Sequence, residues 1–276
     1  RLIRLLLLAF AVVCIVLALL RPQWGKKDEK AVQEGRDLLV LLDISRSMRA
    51  ADFKPNRLEF AKLKLKTLLS KFECERVGLV LFSGSAFVHT PMTRDFRAFE
   101  LFLDQVDVEL ISSGTTAIDR AMMKAVDVFS RSEDRKNKLV LLVTDGEDFS
   151  VNFGLAKQKA KELGLRVITY GVGTTDGAPV PKFKSDGTQA GHEVGDDGKI
   201  AMSKLGEEQL KMISNSLDGI FVRSSYSDGD VDKIVEYVSG FEREKFGEES
   251  FSIYEERYPI FTGLAAACLA LEWLLW

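Results

Sequence analysis

Two uninterrupted apolar stretches of strand length each end in an aspartate: DLLVLLD closes at Asp43 and LVLLVTD closes at Asp145. A strand with one wet face alternates apolar and polar side chains, so an unbroken run belongs to a strand covered on both faces. Such strands lie inside a mainly parallel sheet. In an open parallel sheet, ligands gather beyond the carboxyl ends of the strands, where strand order reverses. Asp43 and Asp145 therefore share one rim if their strands are neighbours.

The rest of the middle region alternates in the same way. Helical spacing runs over 56–72, 93–106, 116–129, 153–163, 205–217 and 231–241. Strands are expected at 37–43, 77–83, 139–144, 166–172 and 219–223, with a short hairpin return at 86–89. Strand–helix alternation of this kind predicts an α/β fold, a doubly wound, mainly parallel Rossmann-like sheet with helices on both faces. Residues 173–203 break the pattern. Their turn pairs Asp186-Gly187 and Asp197-Gly198 predict a β-hairpin insertion.

Around the rim the chain offers oxygen donors and no nearby His or Cys. Ser45 and Ser47 follow Asp43 in DISRSM, and SSGTTAIDRAM brings Thr115 and Thr116 to the start of a helix. Such a set suits Mg²⁺, with Mn²⁺ as the second choice, and is a poor match to Zn²⁺ or copper. Hydroxyl ligands carry no charge, so a cation held by them and two Asp is only partly neutralised. It stays open to a carboxylate from outside.

The ends differ from the middle. Residues 2–20 and 258–276 are apolar enough to be read as transmembrane helices in a lipid bilayer, joined to the central domain by linkers at 21–35 and 243–257. No small-residue cleavage site follows the first, which argues against a secretory signal, and Trp24 stands where an interfacial anchor would. Glu272 is costly at membrane depth away from the interface. Basic residues flank the first segment on both sides, so the sequence alone gives no orientation. The chain begins on Arg without a Met, and earlier sequence is expected. A net charge of −3 and a pI near 5.7 leave no basic footprint for nucleic acid. Cys14 and Cys268 fall in the apolar ends, leaving Cys74 alone and no disulfide framework.

The D-x-S-x-S, Thr and Asp elements, in this order and in these settings, resemble the metal-ion-dependent adhesion site of von Willebrand factor A domains, over residues 36–242. The resemblance implies Ser45, Ser47 and Thr116 as direct ligands, with Asp43 and Asp145 acting mostly through water. It selects Thr116 over Thr115 because T-A-I-x-x-A-M matches the family pattern. More widely, A-L-L-R-P-Q-W-G before the domain and an apolar segment after it resemble the membrane-anchored aerotolerance-operon (Bat-type) proteins of bacteria. That implies an inner-membrane protein with a periplasmic main domain, sister von Willebrand factor A proteins as partners, and a functional link to a MoxR-type AAA+ ATPase.

The function expected is a non-enzymatic binding module, in which a partner's Asp or Glu completes the coordination of Mg²⁺, within a stress-tolerance or envelope assembly. The alternative is a Mg²⁺-dependent phosphohydrolase with Asp43 as nucleophile. Such enzymes need a second Asp two residues on, where this chain has Ser45, and neither a P-loop nor G-x-S-x-G is present. Glu147 and Asp148, next to Asp145, are read either as groups that tune the metal or as a solvated loop face, and the loop face is the expectation. His89 is expected in a hairpin and His192 in a loop, neither as a ligand. Arg46 and Met48 are read either as partner contacts or as plain surface.

Overall fold

Strand β1 (Asp37–Asp43) is buried at every position and sits in the middle of a six-stranded sheet. A computed structural model describes residues 2–30, 33–34, 37–71, 76–108, 110, 117–131, 138–147, 153–183, 188–195, 198–240, 245–246 and 250–274. They form two compact units, 34–246 and a second built from 1–33 and 247–276.

In the larger unit the chain order is β1, α1 (Arg57–Lys71), β2 (Arg76–Phe82), β3 (Ala86–Thr93), α2 (Phe96–Asp104), α3 (Ile118–Ser130), β4 (Lys138–Thr144), α4 (Phe153–Glu162), β5 (Arg166–Gly171), α5 (Glu207–Ser216), β6 (Phe221–Arg223) and α6 (Gly229–Ser239). The spatial order of strands is β6-β5-β4-β1-β2-β3. All neighbours run parallel except β3, which returns antiparallel along β2. After β1 the chain builds β2 and β3 on one side, then crosses to β4 on the other. The order therefore reverses between β1 and β4, and these are the strands that end at Asp43 and just before Asp145.

Period-two alternation divides the buried side chains between two layers. Leu38, Val40 and Leu42 face a core with α1, α2 and α6, including Leu65, Phe99 and Ile234. Leu39 and Leu41 face a second core with α3, α4 and α5, including Met122, Phe129 and Ala160. Each fully buried aliphatic side chain contributes about 1.5–3 kcal/mol relative to exposure. The doubly wound architecture expected from the strand–helix alternation is the one observed.

Strand β3 differs from expectation. It runs to Thr93 instead of stopping at His89. Pro91 ends a strand by ordinary rules, but β3 is an edge strand, where a missing N–H on the solvent side costs no ladder bond. The insertion is a ladder in which Pro181–Phe183 pair with Gln189–His192, and Ala178–Pro179 pair with Met202–Ser203. The Asp186-Gly187 turn lies outside the described residues. Gly198, of the second turn pair, has a left-handed φ of +74°.

In the smaller unit, the stretches read as linkers carry structure of their own, since Gln23–Lys30 pairs antiparallel with Ser250–Glu256. The apolar ends form helices Leu2–Leu19 and Tyr258–Leu274, of 18 and 17 residues. These bury small residues, Ala11, Cys14, Ala18 and Ala265, while large ones such as Leu5, Phe10 and Leu271 stay exposed. Among the described residues no helix is long and apolar enough to cross a membrane.

Candidate metal centre

The parallel register sets Asp43 beside Phe82, and Ile44 N donates to the Phe82 carbonyl at 2.9 Å, so the chain leaves β1 still tied to β2. It then turns through a short 3₁₀ segment, Arg46–Arg49, with Met48 N bonded to the Ser45 carbonyl at 3.1 Å. That turn curls the loop until Ser45 Oγ and Ser47 Oγ stand 2.9 Å apart. Asp43 is fully buried. Its Oδ1 accepts from Ser45 N at 2.8 Å, and its Oδ2 accepts from Thr144 Oγ1 at 2.6 Å.

Asp145 follows β4 on the neighbouring strand and is also fully buried. Gly146 turns the chain directly after it at φ +80°, a conformation that suits glycine. Burial, then the charge of Asp145, push the Asp43 carboxyl up to about 7, against the opposing pull of hydrogen bonds from Thr144 and Ser45. Two buried carboxylates that repel one another while hydroxyls converge beside them call for a cation. The set is all oxygen and partly neutral, which fits a hard divalent ion. Among the described residues no group of three or more His, Cys, Asp or Glu is placed to hold a metal ion, so the donors gathered here are two carboxylates with hydroxyls.

Thr115 and Thr116 lie outside the described residues. Ala117, the next residue, donates its N–H to the Ser83 carbonyl at 3.0 Å, just past the end of β2. The end of the third loop is thereby fixed at the same rim.

Several residues that sequence reading passed over complete the site. Arg57 Nη1 donates to Asp145 Oδ2 at 2.9 Å, while Nε and Nη2 form a two-pronged bond to Asp52 at 2.8 Å each. Burial raises the Asp52 carboxyl, but bonds from Arg57 and Thr174 outweigh it and hold the group below its ordinary range. Nothing in a single Arg at a helix start marks it as buried. Thr144, whose hydroxyl reaches Asp43, was visible as the polar residue that ends an apolar run.

Glu147 is not on a solvated face. It is part-buried, its Oε1 accepts from Lys204 N at 2.8 Å, and burial followed by the Asp145 charge raises its carboxyl. Asp148 lies outside the described residues. Met48 is fully buried and touches core, which removes it as a partner contact, whereas Arg46 is exposed. His89 packs edge-on to Phe87 and Phe102. His192 lines a cavity of about 730 Å³ beside the 3₁₀ turn, with Arg49, Asp52, Asn56 and Phe183. The Arg49 guanidinium lies 5.3 Å from the Phe183 ring centre.

A doubly wound sheet with these loops at its switch point is the architecture of a von Willebrand factor type A domain, and the model of that family matches residues 38–147. A solved aerotolerance-related membrane protein from Bacteroides fragilis is 30% identical with a TM-score of 0.68, covering 75% of this chain and 100% of that one. BatB from Bacteroides thetaiotaomicron is 31% identical with a TM-score of 0.67, over 74% and 98%. The chain belongs to this Bat-type family of von Willebrand factor A proteins. The manganese-loaded TRAP protein of Plasmodium vivax, 14% identical with a TM-score of 0.54 over 78% and 77%, shares the fold. The chain spans about half the length of the curated relatives it matches, 50% and 56%.

Proposed function

We propose that this protein is a membrane-associated interaction module that captures an acidic side chain of a partner protein through Mg²⁺ held at the β1–β4 rim. The observation that carries the reading is the convergence of Asp43, Ser45 and Ser47 opposite Asp145. Two of these are buried carboxylates, and the pair of hydroxyls is already within 2.9 Å of each other. In this reading Ser45, Ser47 and Thr116 are the direct ligands, and Asp43 and Asp145 act through water. A cation bound there supplies an electrophilic open position to a carboxylate.

The cavity lined by Arg49, Phe183 and His192 then receives the residues that flank the acidic one, so the insertion contributes specificity. Manganese in a protein of the same fold supports a divalent ion in general. The ion is proposed to be Mg²⁺ because oxygen donors with few charges suit it.

The paired terminal helices expose large apolar side chains around a seam of small ones, which supports burial in lipid or against other apolar helices. The solved relative described as a membrane protein supports the former. We place the domain on the periplasmic face of a bacterial inner membrane, acting with sister von Willebrand factor A proteins and a MoxR-type AAA+ ATPase in stress tolerance or envelope assembly.

Affinity isolation from detergent-solubilised membranes tests the core of this. A partner is expected to be retained with Mg²⁺ and lost with chelator or in Asp43→Ala. Retention under both conditions rules the reading out.

A further inference from the structure

The largest fully buried side chain on the polar side of this rim is a cation. Arg57 opens α1 with its side chain wholly excluded from solvent. A buried guanidinium is costly unless its charge and its donors are met. Here Asp52 takes Nε and Nη2, Asp145 Oδ2 takes Nη1, and Ser203 offers both its hydroxyl and its carbonyl. These partners come from three places: the segment after the 3₁₀ turn, the metal rim, and the returning strand of the insertion.

Resting on the metal reading above, we propose that Arg57 is a positioning residue for the metal centre. It fixes Asp145 in one orientation and clamps the insertion to the rim, so that metal binding and the ordering of the insertion are energetically linked.

Both oxygens of Asp145 support this. Oδ2 is held by the guanidinium and lies 3.3 Å from Ser203 Oγ, while among the described residues Oδ1 meets the Glu147 amide at 3.2 Å. An oxygen already in a charge-assisted bond is a weak candidate for direct coordination. Asp145 is thus suited to an outer role, with Oδ1 the oxygen outside the ion pair.

The clamp has several more points. Thr174 N donates to Asp52 Oδ2 at 2.8 Å, Lys204 N to Glu147 Oε1 at 2.8 Å, and Gly206 N to the Asp145 carbonyl at 2.7 Å. At Gly206 a side chain would meet the Gly146 carbonyl oxygen at 2.5 Å, so backbone lies directly against backbone. The entry and the exit of the insertion are both tied to the residues that hold Asp145.

The test uses the whole chain in detergent. Mn²⁺ titration followed by electron paramagnetic resonance gives affinity, and hydrogen exchange with and without Mg²⁺ reads the insertion. In the unaltered protein Mg²⁺ is expected to slow exchange at Thr174, Lys204 and Gly206.

Lysine in Arg57→Lys can reach one carboxylate but not both. Loss of such outer-shell support typically costs ~10–100-fold in metal affinity. That loss is expected, together with loss of the Mg²⁺-dependent protection at 174 and 204–206, as reciprocal linkage requires. Ser203→Ala, which keeps the ion pairs, is expected to show a several-fold loss and decides the matter if Arg57→Lys does not fold.

Mn²⁺ affinity equal to that of the unaltered protein in either folded variant overturns the proposal, as does exchange in the insertion that ignores Mg²⁺. Failure of the unaltered chain to bind Mn²⁺ instead removes the metal reading on which it rests.

Discussion

Asp37 and Asp43 begin and end the same strand, and both are fully buried, yet their surroundings differ in charge. Asp37 receives Arg76 from the adjacent strand in a two-pronged bond of 2.9 and 2.6 Å. Asp43 receives a backbone amide and a threonine hydroxyl, both neutral, and faces a second carboxylate. Where the chain supplies the countercharge, a buried carboxylate fastens two strands together. Where it does not, the carboxylate has affinity to offer something from outside. Asp145 stands between these cases, with one oxygen met by Arg57 and the other by an amide.

The comparison is sharpest if the first end is broken. Arg76→Ala leaves Asp37 buried and unpaired, and breaking a buried pair costs about 3–5 kcal/mol. Arg76 retains 27% exposure, which admits some water and lowers the expected loss to about 2–4 kcal/mol. Urea unfolding monitored by circular dichroism measures it. The stabilisation added by Mg²⁺ is expected to be unchanged, because the two ends are separated by the full strand. A variant as stable as the original would mean that the Asp37–Arg76 pair does not fasten the sheet.

Acid titration separates the ends next. With no metal, the Asp43 carboxyl is raised to about 7 from an ordinary value of 3.8, so the folded state binds this proton more tightly than the unfolded one. Its contribution to stability is complete below about pH 4 and is lost as pH rises through about 7. A divalent ion competes with that proton, so the dependence with metal takes the opposite sign. The rise in melting temperature caused by Mg²⁺ is expected to be small at pH 5.5 and full at pH 8, with a midpoint near 7, and to vanish in Asp43→Asn. An Mg²⁺ effect that is level across this range would count against Asp43 as the titrating group.

How much of this was readable in advance depends on which interactions are local. The apolar runs announce buried strands because burial on two faces acts residue by residue, and the Asp that ends each run marks the rim. DISRSM likewise places Ser45 and Ser47 within one turn. Arg57, Asp52 and Ser203 were not legible as a group, since Ser203 lies 146 positions from Arg57 and meets it only after the sheet has formed. Charge alone suggested solvent for Glu147, and its tertiary partner reversed that, while Arg57 drew no notice until its partners were seen. The ribbon formed by Gln23–Lys30 was hidden for a related reason. Its sequence, QWGKKDEK, has the composition of a linker, and its strand state comes from pairing with Ser250–Glu256.

The smallest effects come from altering the neutral donors, and these test whether missing charge is what makes the rim a site. Ser47→Ala removes one hydroxyl of a pair 2.9 Å apart at a part-exposed position. It is expected to weaken Mn²⁺ binding roughly ten-fold, about 1.4 kcal/mol, with little change in the urea midpoint. Ser47→Asp supplies a charge where the native loop has none, so it is expected to tighten Mn²⁺ binding. The same substitution leaves the ion more fully neutralised and less able to attract a partner's carboxylate, so capture of that partner is expected to fall. Calorimetric metal titration and partner retention, measured on the same variant, should therefore move in opposite directions. If both rise together, the value of the site lies in total ligand strength rather than in the countercharge it withholds.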